Sequence, residues 1–210
     1  MVSGEWGEKY VPGFYRMLVM QEIGRVVHCQ IQTGPLKQGP QRDRYDPIHL
    51  LAVSALRLTE RGVWGVSGGE LIMDVHHDDY PRSHLQKANK LSFNFTSHYE
   101  QMQKQFGSHL WVGCGGDNLV FAAATPVTLA DLQGELLLVT AEGQCGRVVH
   151  LSVATPCLAF SRFALGHPVD ADPAPVKTTL QFLSRGMRGF YGDWSGEPLL
   201  VHPGDQLLKG

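Results

Sequence analysis

A chain of 210 residues, 43% hydrophobic and 18% charged, can bury a full core as one domain or as two intimately joined halves. A formal net charge of −2 without any basic run argues against a nucleic-acid binder and against docking on an anionic membrane, since both need clustered Lys and Arg. Its 24 glycines and 12 prolines favour many short elements joined by tight turns over long helices.

Residues 1–23 are mixed in character and are assigned as an N-terminal extension. From Gly24 the pattern turns to β: Arg25 to Gln32 is rich in β-branched residues and stops at Thr33-Gly34-Pro35. Residues 34–46, broken by Pro and carrying several charges, read as a loop. Leu50 to Leu58 reads as a strand leading to Arg61-Gly62, although Pro47 also suits the first turn of a helix. Val63 to Val66 and Glu70 to Val75 read as strands around a Ser67-Gly68-Gly69 turn. A helix follows, with Thr96 or Ser97 as its cap, Met102 and Phe106 on one face and Gly107 as its stop. Strands are predicted at Asn118 to Ala122, Glu135 to Thr140 and Arg147 to Ala154. A second helix runs over Ala174 to Arg185, opened by Asp172-Pro173 and closed by Gly186. Leu199 to Val201 and Gln206 to Leu208 are the last strands. The expected fold is mainly β with a few short helices, a barrel-like domain.

No apolar stretch approaches the roughly 18 residues of a membrane span, and Met1 to Tyr10 lacks the apolar core of a secretory signal. Cys29, Cys114, Cys145 and Cys157 lie far apart without a CxxC pair, which fits neither a disulfide framework nor a structural zinc site. The expected compartment is the reducing cytoplasm. Each cysteine is then either buried filler or a reactive thiol.

Cys157 stands out among them. The β-run from Val148 ends at Thr155-Pro156-Cys157, which places a thiol just past a strand end, with a proline fixing the backbone before it. Such a thiol serves as a nucleophile, a sulfur carrier or a soft metal ligand, or else simply packs. Around it the sequence offers Gly116-Asp117-Asn118-Leu119, a glycine turn feeding a strand, then Arg188-Gly189-Phe190-Tyr191, then His202-Pro203-Gly204-Asp205.

These pieces, in this order, resemble the MOSC family, related to the C-terminal part of molybdenum cofactor sulfurase. Thr128 to Gly134 matches the stretch after the glycine turn, and Arg61-Gly62-Val63-Trp64-Gly65-Val66 a Gly-Val-x-Gly segment. Asp74-Val75-His76-His77 with Pro81-Arg82 is similar to an Asp-x-His-His followed by arginine. The resemblance covers residues 24–208. The sequence departs from it at Asp78-Asp79, where many members carry a glycine pair, and at Asp117, where glutamate is commoner.

The resemblance implies a β-barrel-like domain that binds molybdenum cofactor. Cys157 would be the ligand to molybdenum, or would carry a persulfide. Arg82, Asn118, Thr155 and Arg188 would supply donors to the pterin phosphate, and His76, a hydrogen-bonded histidine lining the cleft, would be a further cofactor-binding residue. An oxidoreductase reducing N-hydroxylated or similar small substrates would draw electrons from a separate donor protein, as the chain shows no flavin, haem or iron–sulfur motif. The alternatives are a non-catalytic carrier of cofactor or persulfide with a delivery partner, and a thiol or zinc hydrolase. His76 and His77, being adjacent, are not expected to share one metal ion. His98 and His109 are expected at the surface, Cys29 in the core, Cys114 packed or near the cleft, and Cys145 on a hairpin loop.

Overall fold

The computed structural model describes residues 20–81, 90–166 and 173–210. Its first strand, β1 (Gln21–Gln32), pairs with three partners in turn, and two register shifts, at Glu22/Gly24 and Val26/His28, let it bend between them. Gly24 sits at such a bend. A Cβ there would lie 2.6 Å from the Ala122 carbonyl oxygen, so only glycine allows the approach.

The segment read as a loop contains a small hairpin, β2 (Lys37–Gln38) and β3 (Arg44–Tyr45). The predicted strand over Leu50 to Leu58 is divided. Asp46 caps a 3-10 turn at Pro47–His49, accepting a hydrogen bond from the Ile48 N–H. β4 (Leu50–Ala52) then pairs with the end of β1, and β5 (Ala55–Thr59) turns into a second sheet with β6 (Gly62–Ser67) and β7 (Glu70–Met73).

β8 (Leu91–Phe95), which the sequence reading did not identify, is buried along its whole length. It runs into helix α1 (Thr96–Phe106), and the chain returns as β9 (Leu119–Ala122), parallel to β8. Neither expected residue caps α1: Phe95 holds the cap position, while Thr96 and Ser97 donate to the Ala123 and Thr125 carbonyls. β10 (Leu136–Val139) and β11 (Cys145–Val153) form a hairpin, followed by α2 (Leu158–Leu165) and α3 (Pro173–Leu183). β12 (Phe190–Ser195), β13 (Leu199–Val201) and β14 (Gln206–Lys209) complete the chain.

The strands β14-β10-β11-β12-β8-β9-β1 close through β14–β1 pairing into a seven-stranded barrel. Closure removes the sheet edges that an open sheet would expose. The interior is filled by Phe93, Phe95, Phe121, Phe190 and Trp194 among aliphatic side chains. A second apolar cluster lies outside the barrel, where Tyr99, Met102, Leu110, Phe160 and Leu183 join the three helices to the β2–β3 hairpin. No helix among the described residues is long and apolar enough to cross a membrane.

Candidate functional site

A cleft of about 250 Å³ opens beside the outer cluster, which contributes Leu36, Tyr45 and Cys157 to it. Its walls come from separate stretches of chain: Lys37, Arg42 and Tyr45 from the hairpin, His76 from the turn after β7, Gly115 to Asp117 before β9, and Thr155, Cys157, Arg188 and Tyr191.

Cys157 is the N-cap of α2. Its extended backbone (φ −115°) ends β11, and its sulfur accepts a hydrogen bond from the Phe160 N–H at 3.5 Å, in the place a Ser or Asp oxygen usually takes. The Cys157 carbonyl accepts from the Ser161 N–H and hydroxyl, both at 3.0 Å. The half-buried thiol is therefore held at the positive end of the helix, open to the cleft. Thr155 is exposed at the rim.

Arg188 is held from three sides. It donates to the Gly115 carbonyl, lies 3.4 Å from Asp117 Oδ1, and stacks with its guanidinium carbon 4.4 Å from the Phe160 ring centre. Asp117 is fully enclosed and takes a 2.5 Å hydrogen bond from the Tyr99 hydroxyl. Burial raises its pKa above the usual carboxylate range, against the pull of Arg188. Burial likewise raises the Tyr45 and Tyr191 hydroxyls, so both keep their protons. The Tyr45 hydroxyl donates to the Cys114 carbonyl at 2.7 Å.

Asn118 lies behind this wall rather than in it. Its amide donates to the Gln30 carbonyl and Asp74, and its oxygen accepts from Ser92. Both donors of the amide are thus taken up inside the protein, and it has none to offer a phosphate. Arg82 lies outside the described residues. His76 lines the cleft while His77 turns away, buried against Trp64, whose indole N–H donates to His77 Nε2 at 3.0 Å. Burial lowers the His77 pKa.

Lys37 and Arg42 went unrecognised in the sequence because two-residue strands leave no periodicity to read. Neither side chain has a hydrogen-bond or ion-pair partner among the described residues, and both are exposed at the cleft mouth. The hairpin that bears them is fixed to α2 by the Tyr45 ring, 5.1 Å from Phe160 and 5.2 Å from Phe163, and by an Asp43–Arg162 ion pair at 3.3 Å.

Cys29 is in the core. Cys114 is buried in the outer cluster, and burial pushes its thiol up to about 12. Cys145 is exposed at the start of β11. His98 is not at the surface: it is 1% exposed, bonded at Nδ1 to Asn94 Oδ1 and at Nε2 by the Val127 N–H. His109 is exposed, as expected, and its Nε2 lies against the Phe163 and Ala164 carbonyls at the end of α2. The Gly204-Asp205 turn lies at the barrel seam, where the Asp205 carboxylate accepts from the Ala141 and His202 N–H groups. Among the described residues no three His, Cys, Asp or Glu side chains are gathered closely enough to hold a metal ion by themselves.

No protein-family model and no curated protein matches the chain. Among solved structures it is similar to the YUAD protein from Bacillus subtilis, with a TM-score of 0.56 at 10% identity over 90% of this chain and 97% of that one. It is also similar to a hypothetical protein, with a TM-score of 0.52 at 15% identity over 88% of this chain and 68% of that one. These likenesses establish the fold: mainly β, barrel-built, with few short helices.

Proposed function

We propose that the chain is a MOSC-type domain, residues 24–208, that binds molybdenum cofactor in this cleft through the Cys157 sulfur. We further propose that it reduces N-hydroxylated or similar small substrates in the cytoplasm, with electrons from a separate donor protein. The observation that carries the reading is the convergence, around one cleft, of a half-buried, helix-capping thiol with two exposed cations that have no partner among the described residues. The donor set suits the group. A single soft sulfur is appropriate to the metal, and Lys37 and Arg42 are appropriate to a pterin phosphate. When bound, the group would supply the two-electron chemistry.

The chain's own residues bind and orient. Arg188, fixed by Gly115, Asp117 and Phe160, presents a pre-set guanidinium to the cleft, and Thr155 adds a hydroxyl at the rim. Arg82 is assigned as a further cation for the phosphate. Asn118 acts at one remove, joining Asp74 to Ser92.

The test is molybdenum content by mass spectrometry, for protein made in a host that synthesises the cofactor, in wild type and Cys157→Ala. Near-stoichiometric metal that is lost in the variant supports the reading. Zinc, or no metal, in both would overturn it. Metal bound without turnover from an artificial electron donor would assign the carrier role instead.

A further inference from the structure

We propose that His76 is the proton donor of this cleft and that Asp74 is the positioning residue that holds its ring; the role rests on the reduction proposed above. Asp74 is fully buried, and its carboxylate receives four N–H groups. Oδ2 accepts from the Gln32 N–H at 2.7 Å and the Asn118 amide at 3.0 Å. Oδ1 accepts from the His76 N–H at 2.7 Å and faces His76 Nδ1 at 2.8 Å.

A carboxylate only accepts, so the ring proton belongs on Nδ1 and Nε2 is the working nitrogen. No described residue bonds Nε2, the ring lines the cleft, and the side chain is 28% exposed. Buried carboxylate, oriented imidazole and open second nitrogen together are the arrangement of a general acid–base pair. The other protic groups nearby are less suited. Tyr45 and Tyr191 have raised pKa values, and Asp117 is enclosed by Tyr99 and Arg188. His77 and His98 have their ring nitrogens engaged.

A substrate with an N–O bond takes two electrons from the external donor protein and two protons; the bond breaks and the oxygen leaves as water. His76, as the imidazolium, gives its Nε2 proton to the departing oxygen and remains neutral with Nδ1–H on Asp74. Solvent at the exposed ring edge restores the Nε2 proton, and the second proton, taken from solvent, goes to the nitrogen that the oxygen has left. The substrate class is a small N-hydroxylated compound whose oxygen must be protonated to leave.

The test uses the molybdenum-loaded protein, with an amidoxime as substrate and reduced methyl viologen as electron donor. His76→Gln should lower kcat on the order of 100-fold, with KM and metal content little changed. Unchanged kcat at full metal content would overturn the proposal.

Because Asp74→Asn risks misfolding, the dyad is read in wild type by long-range proton–nitrogen NMR. His76 should be the Nδ1–H tautomer when neutral, and an Nε2–H tautomer overturns the proposal whatever the activity. Absence of molybdenum from wild type would instead defeat the cofactor reading, and the reductive role with it, while the tautomer still reports on the dyad.

Discussion

The Asp43 carboxylate lies 3.3 Å from the Arg162 guanidinium, and through this pair the hairpin carrying Lys37 and Arg42 is tied to the helix that Cys157 begins. Each side chain is 19% exposed, so the pair is screened less than a surface one. Asp43→Ala is expected to cost about 1 kcal/mol. A double-mutant cycle with Arg162→Ala, followed by urea unfolding, should return a coupling of similar size. A coupling near zero would show that Tyr45 stacking alone anchors the hairpin.

Lys37→Ala and Arg42→Ala remove exposed cations that have no partner among the described residues. Stability should stay within about 0.5 kcal/mol of wild type. Retention of a phosphate-bearing ligand should fall several-fold for each, and the salt dependence of binding should weaken. Metal content after dialysis at increasing ionic strength measures both effects.

Acid stability should depend on His98. Burial lowers its pKa from 6.5 to about 4, so between those values the unfolded chain binds a proton that the folded one excludes. Stability contributed by the neutral ring is complete above pH 6.5 and is lost as pH falls toward 4. The full window amounts to about 3 kcal/mol. Urea midpoints measured from pH 7 to pH 4.5 should show this slope, and a flat profile would contradict it.

The four thiols should separate by alkylation. Cys29 and Cys114 are both pushed up to about 12, chiefly by burial, and should resist iodoacetamide in the folded protein. Cys145, exposed, and Cys157, half-buried at the cleft, should react. Peptide mapping after a timed pulse distinguishes them, and early labelling of Cys114 would show that the outer helical cluster opens readily.

The placement of Cys157 was legible because the alternating run before it stops abruptly at a proline, a local signal. The barrel was foreseeable in outline for the same reason: most strands carry their own pattern. β8 was not, since Leu91 to Phe95 is buried on both faces and shows no alternation to read. His98 was misplaced because its burial depends on Asn94 and on Val127, far along the chain, and helical spacing says nothing of either. Asn118 looked like a ligand donor, yet its partners Gln30, Asp74 and Ser92 meet only after the fold has formed.

The barrel's closing seam joins β1 to β14, pairing Gln21 with Lys209. During synthesis, β1 and β10 must therefore wait with unsatisfied edges until β14 has emerged from the ribosome. A nascent chain stalled before Asp205 should be protease-sensitive and chaperone-bound, becoming resistant only once β14 has been added and exposed. The cleft is completed by the same event, because its wall at Tyr191 belongs to β12, a strand of the barrel that β14 closes.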